Sequence, residues 1–87
     1  MGARRERSEE SPMMAVESLK WDPYGCRSPR PRVVDFATVG AAELELMSEG
    51  GEYFIRLTPS NGGTPLESKR GVSAEVRQVW RDLTGRT

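Results

Sequence analysis

Few residues in this chain are equipped for chemistry. Histidine is absent and there is one cysteine, Cys26. No Ser–His or Cys–His pair can therefore form, and nucleophilic catalysis loses its usual base. Arg27 follows Cys26 and would lower its thiol pKa, although an incidental exposed thiol is the simpler reading. Asp35, Glu43, Glu45 and Glu49 are the acidic group that invites a metal. Alternating carboxylates on a strand share a face and can hold Mg²⁺. No lysine accompanies them, and Arg56 is expected to neutralise Glu45, so a solvated strand face is the reading taken. A single cysteine excludes an intrachain disulfide, and without a Cys-X-X-Cys pair or a histidine no structural zinc site is expected. Gly50-Gly51 and Gly62-Gly63 read as turns, because neither leads into a helix that would cradle a phosphate. The expectation is a protein that is not an enzyme, with no catalytic, metal or cofactor residues.

The elements that would position these side chains begin with a hairpin of legible register. Glu43-Leu44-Glu45-Leu46-Met47 is followed by Gly50-Gly51 and then by Tyr53-Phe54-Ile55-Arg56-Leu57. A two-residue turn at the glycines sets Leu44 opposite Leu57 and Leu46 opposite Ile55 on one face. It sets Glu45 opposite Arg56 and Met47 opposite Phe54 on the other. Upstream, Val33 to Val39 is rich in β-branched and aromatic residues and reads as a strand. A three-residue turn after it would oppose Phe36 to Leu46 and Thr38 to Leu44. A two-residue turn would instead oppose Phe36 to Glu45. The hydrophobic face favours the former, since a slip of one residue reverses every side chain.

Asn61-Gly62 predicts a second hairpin, bringing Leu66 opposite Leu57 and Glu67 opposite Arg56. Arg56 would then stand between Glu45 and Glu67, while Pro59 and Pro65 limit the ladder there. Ser73 reads as a helix N-cap, with Glu75 in the first turn. Val76, Val79, Trp80 and Leu83 form one apolar stripe, and Gly85 is placed to end the helix. The helix is expected across the face made by Val34, Phe36, Leu44, Leu46, Tyr53, Ile55, Leu57 and Leu66. The fold class predicted is α+β: a small antiparallel meander of three to four strands with one C-terminal helix on one face, preceded by a flexible N-terminal arm. From Gly51 to Leu83 the strand, the Ser60-Asn61-Gly62 turn and the Ser-capped terminal helix resemble the small bacterial YegP-like repeat modules. Those usually occur in tandem, whereas one copy is present here, and no functional residue is carried over.

The remaining sequence divides at residue 32. Of the 87 residues, 13 are basic and 13 acidic, giving zero formal net charge. The first 32 carry seven basic and five acidic side chains, and the rest carry six and eight. Residues 1–12 hold nothing that could anchor a core and read as disordered. Met13-Met14 is an alternative start. Val16, Leu19, Trp21 and Tyr24 form an apolar cluster within the arm, readable as a lid on the sheet or as a docking segment over 16–24. Arg27-Ser28-Pro29-Arg30-Pro31-Arg32 reads as an extended basic linker. Residues 33–87 are the meander-and-helix module.

Two binding functions follow from this division. Val39, Met47 and Phe54, with Val33, are expected on the outer sheet face. That face would be either covered by the arm, through Val16, Leu19 and Trp21, or open to a partner. The first reading is a small accessory or regulatory protein, a subunit of a larger assembly or a homodimer. It would contact another protein through Trp21, Tyr24, Val39, Met47 and Phe54. The alternative is a nucleic-acid-binding regulator using Arg27, Arg30, Arg32, Arg77 and Arg81. Against it stand the balanced charge and the lack of an aromatic ladder for stacking bases. No apolar run approaches the length of a membrane span and no signal peptide is legible, so a bacterial cytoplasm is the expected location.

Overall fold

A computed structural model describes Val16 and residues 18–85. Five strands form one sheet: β1 (Asp22–Pro23), β2 (Arg32–Val39), β3 (Ala42–Glu49), β4 (Glu52–Pro59) and β5 (Leu66–Glu67). One helix, α1 (Ser73–Thr84), follows. The strands lie in the order β1-β5-β4-β3-β2, and each neighbouring pair is antiparallel. β2 to β5 are the expected meander. β1 is an addition, contributed by the segment expected to be a flexible arm. It pairs Asp22 with Glu67 and Pro23 with Leu66, and the Tyr24 N–H extends the contact to the Pro65 carbonyl at 3.0 Å.

The central hairpin has the register read from its residues. Leu44 faces Leu57, Leu46 faces Ile55, Glu45 faces Arg56 and Met47 faces Phe54. Gly50 and Gly51 both have positive φ, 61° and 87°. That is the backbone a two-residue turn between twisted strands demands. The second hairpin also keeps its expected pairing, Leu57 with Leu66 and Arg56 with Glu67.

The junction of β2 and β3 differs from expectation. A two-residue turn at Gly40-Ala41 joins them, so Val39 pairs with Ala42, Ala37 with Leu44 and Phe36 with Glu45. The register shifts between Val33 and Asp35, which leaves Val34 as a bulge. A bulge inserts one residue and reverses the alternation beyond it. The two-residue turn sets Ala37 and Val39 inward, in the core, and Phe36 outward, and the bulge brings Val33 onto the same outer face as Phe36. Val34 and Phe36, expected under the helix, are exposed instead at 42% and 65%.

The core lies between the sheet and α1. Leu44, Leu46, Ile55 and Leu57 supply the sheet side, and Val76, Trp80 and Leu83 supply the helix side, with Val79 half-buried beside them. This is the stripe its 3.6-residue period implies. Gly85 ends the helix at φ 72°, its N–H donating to the Arg81 carbonyl. At the other end the N-cap position is Val72, which offers no side-chain oxygen. The Ser73 hydroxyl, expected to cap, accepts from the Arg77 Nε at 2.8 Å. Val16 is buried in the core, with Leu19 and Trp21 packed against it, and the Trp21 Nε1 donates to the Val16 carbonyl. The expected disorder of residues 1–12 and the alternative start at Met13-Met14 lie outside the described residues.

Candidate functional site

The face of the sheet opposite α1 is where the sequence places a partner surface, and there the structure changes the reading. Met47 and Phe54 are cross-strand neighbours there, but they are 1% and 0% exposed. They cannot meet a partner in this state. Val39 is not on this face: the two-residue turn pairs it with Ala42 and directs it into the core, where it is buried. The cover over Phe54 comes from the segment after β1 and not from Val16, Leu19 or Trp21, which lie in or against the helix-side core. Tyr24 stacks on Phe54 with ring centroids 5.8 Å apart. The Arg70 guanidinium lies over the same ring at 4.0 Å, and Arg56 lies over Tyr24 at 5.1 Å. Cation–π contacts of this kind hold a charged side chain against an apolar one.

A network of buried charge holds this strap down. Glu49 ends β3 with its side chain almost fully enclosed. Its Oε2 accepts from the backbone N–H of Arg27 at 2.8 Å and of Ser28 at 2.7 Å. The Cys26 thiol donates to the same oxygen at 3.5 Å. Its Oε1 accepts from the Arg70 Nη1 at 2.8 Å. Arg70 also donates to both oxygens of Glu67 and to the Gly25 carbonyl, and the Gly25 N–H returns a bond to Glu67. Every charge here is paired, which is the condition for burying one. The Arg70 guanidinium, more than its burial opposes, brings the Glu49 carboxyl down to about 2 and holds Glu67 below its ordinary value. Arg70 is pushed up in turn, first by Glu67. Burial, with Cys26 beside it, raises the Tyr24 phenol.

Glu67 therefore pairs with Arg70, and the expected ladder through Arg56 is half present. Arg56 keeps Glu45, at 2.7 Å from Nη2 and 2.8 Å from Nε. Sequence reasoning set Arg70 on a phosphate-contacting edge, missed its pairing with Glu49 and Glu67, and took Glu49 for a solvated carboxylate. The available signal was the run Gly25-Cys26-Arg27-Ser28, whose small or polar residues expose backbone N–H groups to an anion.

What remains exposed and apolar is on β2. Val33 is 50% exposed, and Phe36 and Val34 are as given above. Val33 and Phe36 pair with Met47 and Glu45, so they share the outer face. β2 is a terminal strand of the sheet. Its edge is blunted, because the Phe36 N–H donates to the Asp35 Oδ1 at 2.8 Å. Asp35 Oδ2 accepts from the Trp80 indole at 3.3 Å, tying the guard to the core. A bulge and an inward carboxylate are devices by which edge strands resist pairing with another chain.

The arginines of the nucleic-acid reading are distributed over both layers. Arg27 is in the strap, 3.8 Å from Glu52. Arg30 and Arg32 are exposed where the strap leads into β2. Arg77 lies over the Tyr53 ring and Arg81 donates to Gln78, both on the helix layer. Trp21 and Tyr24 are also separated, the first at the helix-side core and the second on the opposite face. No family model matches the chain, and no curated protein or solved structure matches it either. No helix among the described residues is long and apolar enough to cross a membrane.

Proposed function

We propose that the chain is a small non-enzymatic accessory or regulatory module that binds another protein through the side chains of β2. The observation that carries this is Phe36, an aromatic ring left 65% exposed on a rigid strand with Val33 beside it. Exposed aromatics on ordered elements are the usual anchors of protein interfaces. Contact through side chains suits this strand better than strand addition, because Asp35 already occupies the Phe36 N–H. The reading is also supported by the use of the titratable groups. Glu49, Glu67 and Arg70 are gathered as a catalytic cluster would be, yet each is saturated by the others and by the strap. Such a cluster holds structure and has no free valence for a substrate.

The test is capture of a partner by the tagged full chain from its native lysate, with nuclease-treated and Phe36→Arg arms. A stoichiometric protein should survive nuclease and be lost at least tenfold with Phe36→Arg, in keeping with an anchor worth about 2 kcal/mol. Arg77→Glu should retain it. Retention by a folded Phe36→Arg protein would remove β2 as the interface. Recovery that nuclease abolishes would favour the arginines Arg27, Arg30 and Arg32 and a nucleic-acid partner.

A further inference from the structure

On the helix side, away from β2, a cleft of about 310 Å³ opens between the Leu19–Lys20 turn, the link that follows β5 and the first turns of α1. Its volume lies at the lower end of the roughly 300–1,000 Å³ typical of small-molecule sites. Its apolar lining is Leu19, Val76 and Val79: Val76 is buried, and the other two are half-buried. Its charged lining is Lys20, Lys69 and Glu75. None of these three has an ion-pair partner among the described residues. Arg70 also borders the cleft, but its charge is committed to Glu49 and Glu67. The rim of the cleft therefore carries two exposed lysines and one glutamate beside an apolar floor.

We propose that this cleft binds a small amphipathic carboxylate, its apolar tail on Leu19, Val76 and Val79 and its carboxylate between Lys20 and Lys69. The excess of one positive charge suits a monoanion. A phosphate monoester, carrying close to two negative charges at neutral pH, would bring its second charge toward Glu75. The tail supplies most of the driving force by drying the floor, and the lysines select the charge of the head.

Octanoate is the probe, titrated into the ¹⁵N-labelled full chain, with octanol and octylamine as comparators of the same tail. Octanoate should give saturable shifts at the Gly71, Val76 and Val79 amides and bind several-fold tighter than octanol. Octylamine should bind weakest. The Lys20→Glu/Lys69→Glu double variant should lose octanoate affinity on the order of tenfold, about 1.4 kcal/mol, and leave octanol unchanged. Val79→Phe, which fills the cleft from a half-buried position, should weaken all three. Phe36→Arg should leave octanoate binding intact, which separates this site from the protein interface on β2. Equal binding of octanoate and octanol would overturn the assignment of the lysines. Failure to saturate up to the solubility of octanoate, or shifts centred elsewhere, would overturn the site.

Discussion

Arg70 reaches Glu49, Glu67 and the Gly25 carbonyl from one guanidinium, so removing it strands two enclosed carboxylates at once. Arg70→Met is expected to destabilise the fold by about 3–5 kcal/mol, the usual consequence of breaking a buried pair from one side, as read by urea denaturation. The carboxylates also set the acid response. Glu49 titrates at about 2 in the folded chain against an ordinary 4.5, and Glu67 is likewise depressed. A depressed folded pKa means that the unfolded chain binds protons first as pH falls. The stabilisation from Glu49 is therefore present above about 4.5 and drains away toward 2, and that from Glu67 is likewise lost as pH falls. The urea midpoint should fall across that window, and Glu49→Gln should flatten the decline while lowering the plateau at neutral pH. The Glu45–Arg56 pair was legible, because turn length alone fixes which side chains face each other. The Glu49–Arg70–Glu67 pairing was not. It depends on the link after β5 folding back so that Gly71 bridges to Tyr53, which no local periodicity encodes.

Turns and edges carry the next level of information. Gly50 and Gly51 both need positive φ, and a Cβ added at Gly50 would meet nothing within 4 Å. Asn tolerates this backbone, so Gly50→Asn is expected to raise stability by about 0.5 kcal/mol through a less flexible unfolded chain. Gly51→Val should lower it by about 1–2 kcal/mol, because a β-branched residue resists the left-handed region. Thermal unfolding of both variants checks the pair. The bulge at Val34 left no comparable mark in the sequence. The phase of β2 was misjudged at the other end, where a three-residue turn was preferred to the two-residue one at Gly40-Ala41, and Phe36 was placed inside. Asp35 shows why the phase matters. Asp35→Ala frees the Phe36 N–H and strands the Trp80 indole, an expected loss of about 1–3 kcal/mol. It should also raise self-association in sedimentation velocity, because the strand edge would then be open to a second chain.

Across the whole molecule, the segment before β2 is part of the packing. It supplies an edge strand, the ring on Phe54 and the N–H groups on Glu49, while Val16 and Trp21 serve the helix side. A fragment of residues 33–87 retains the meander and helix but uncovers Met47 and Phe54. It is expected to bind the dye ANS and to lose its cooperative thermal transition, whereas the full chain keeps Met47 and Phe54 covered. The pairing of Asp22 with Glu67 joins residues 45 positions apart and has a consequence for synthesis. The residues that close the outer layer leave the ribosome before their partner strand and Arg70 are made. The apolar stripe of α1 follows later still. Until then Met47 and Phe54 have no cover and the inner face has no lid, so neither layer can be completed on a partial chain. A module wired this way is completed only once β5, Arg70 and α1 have all been made, and until then its apolar faces are open to aggregation.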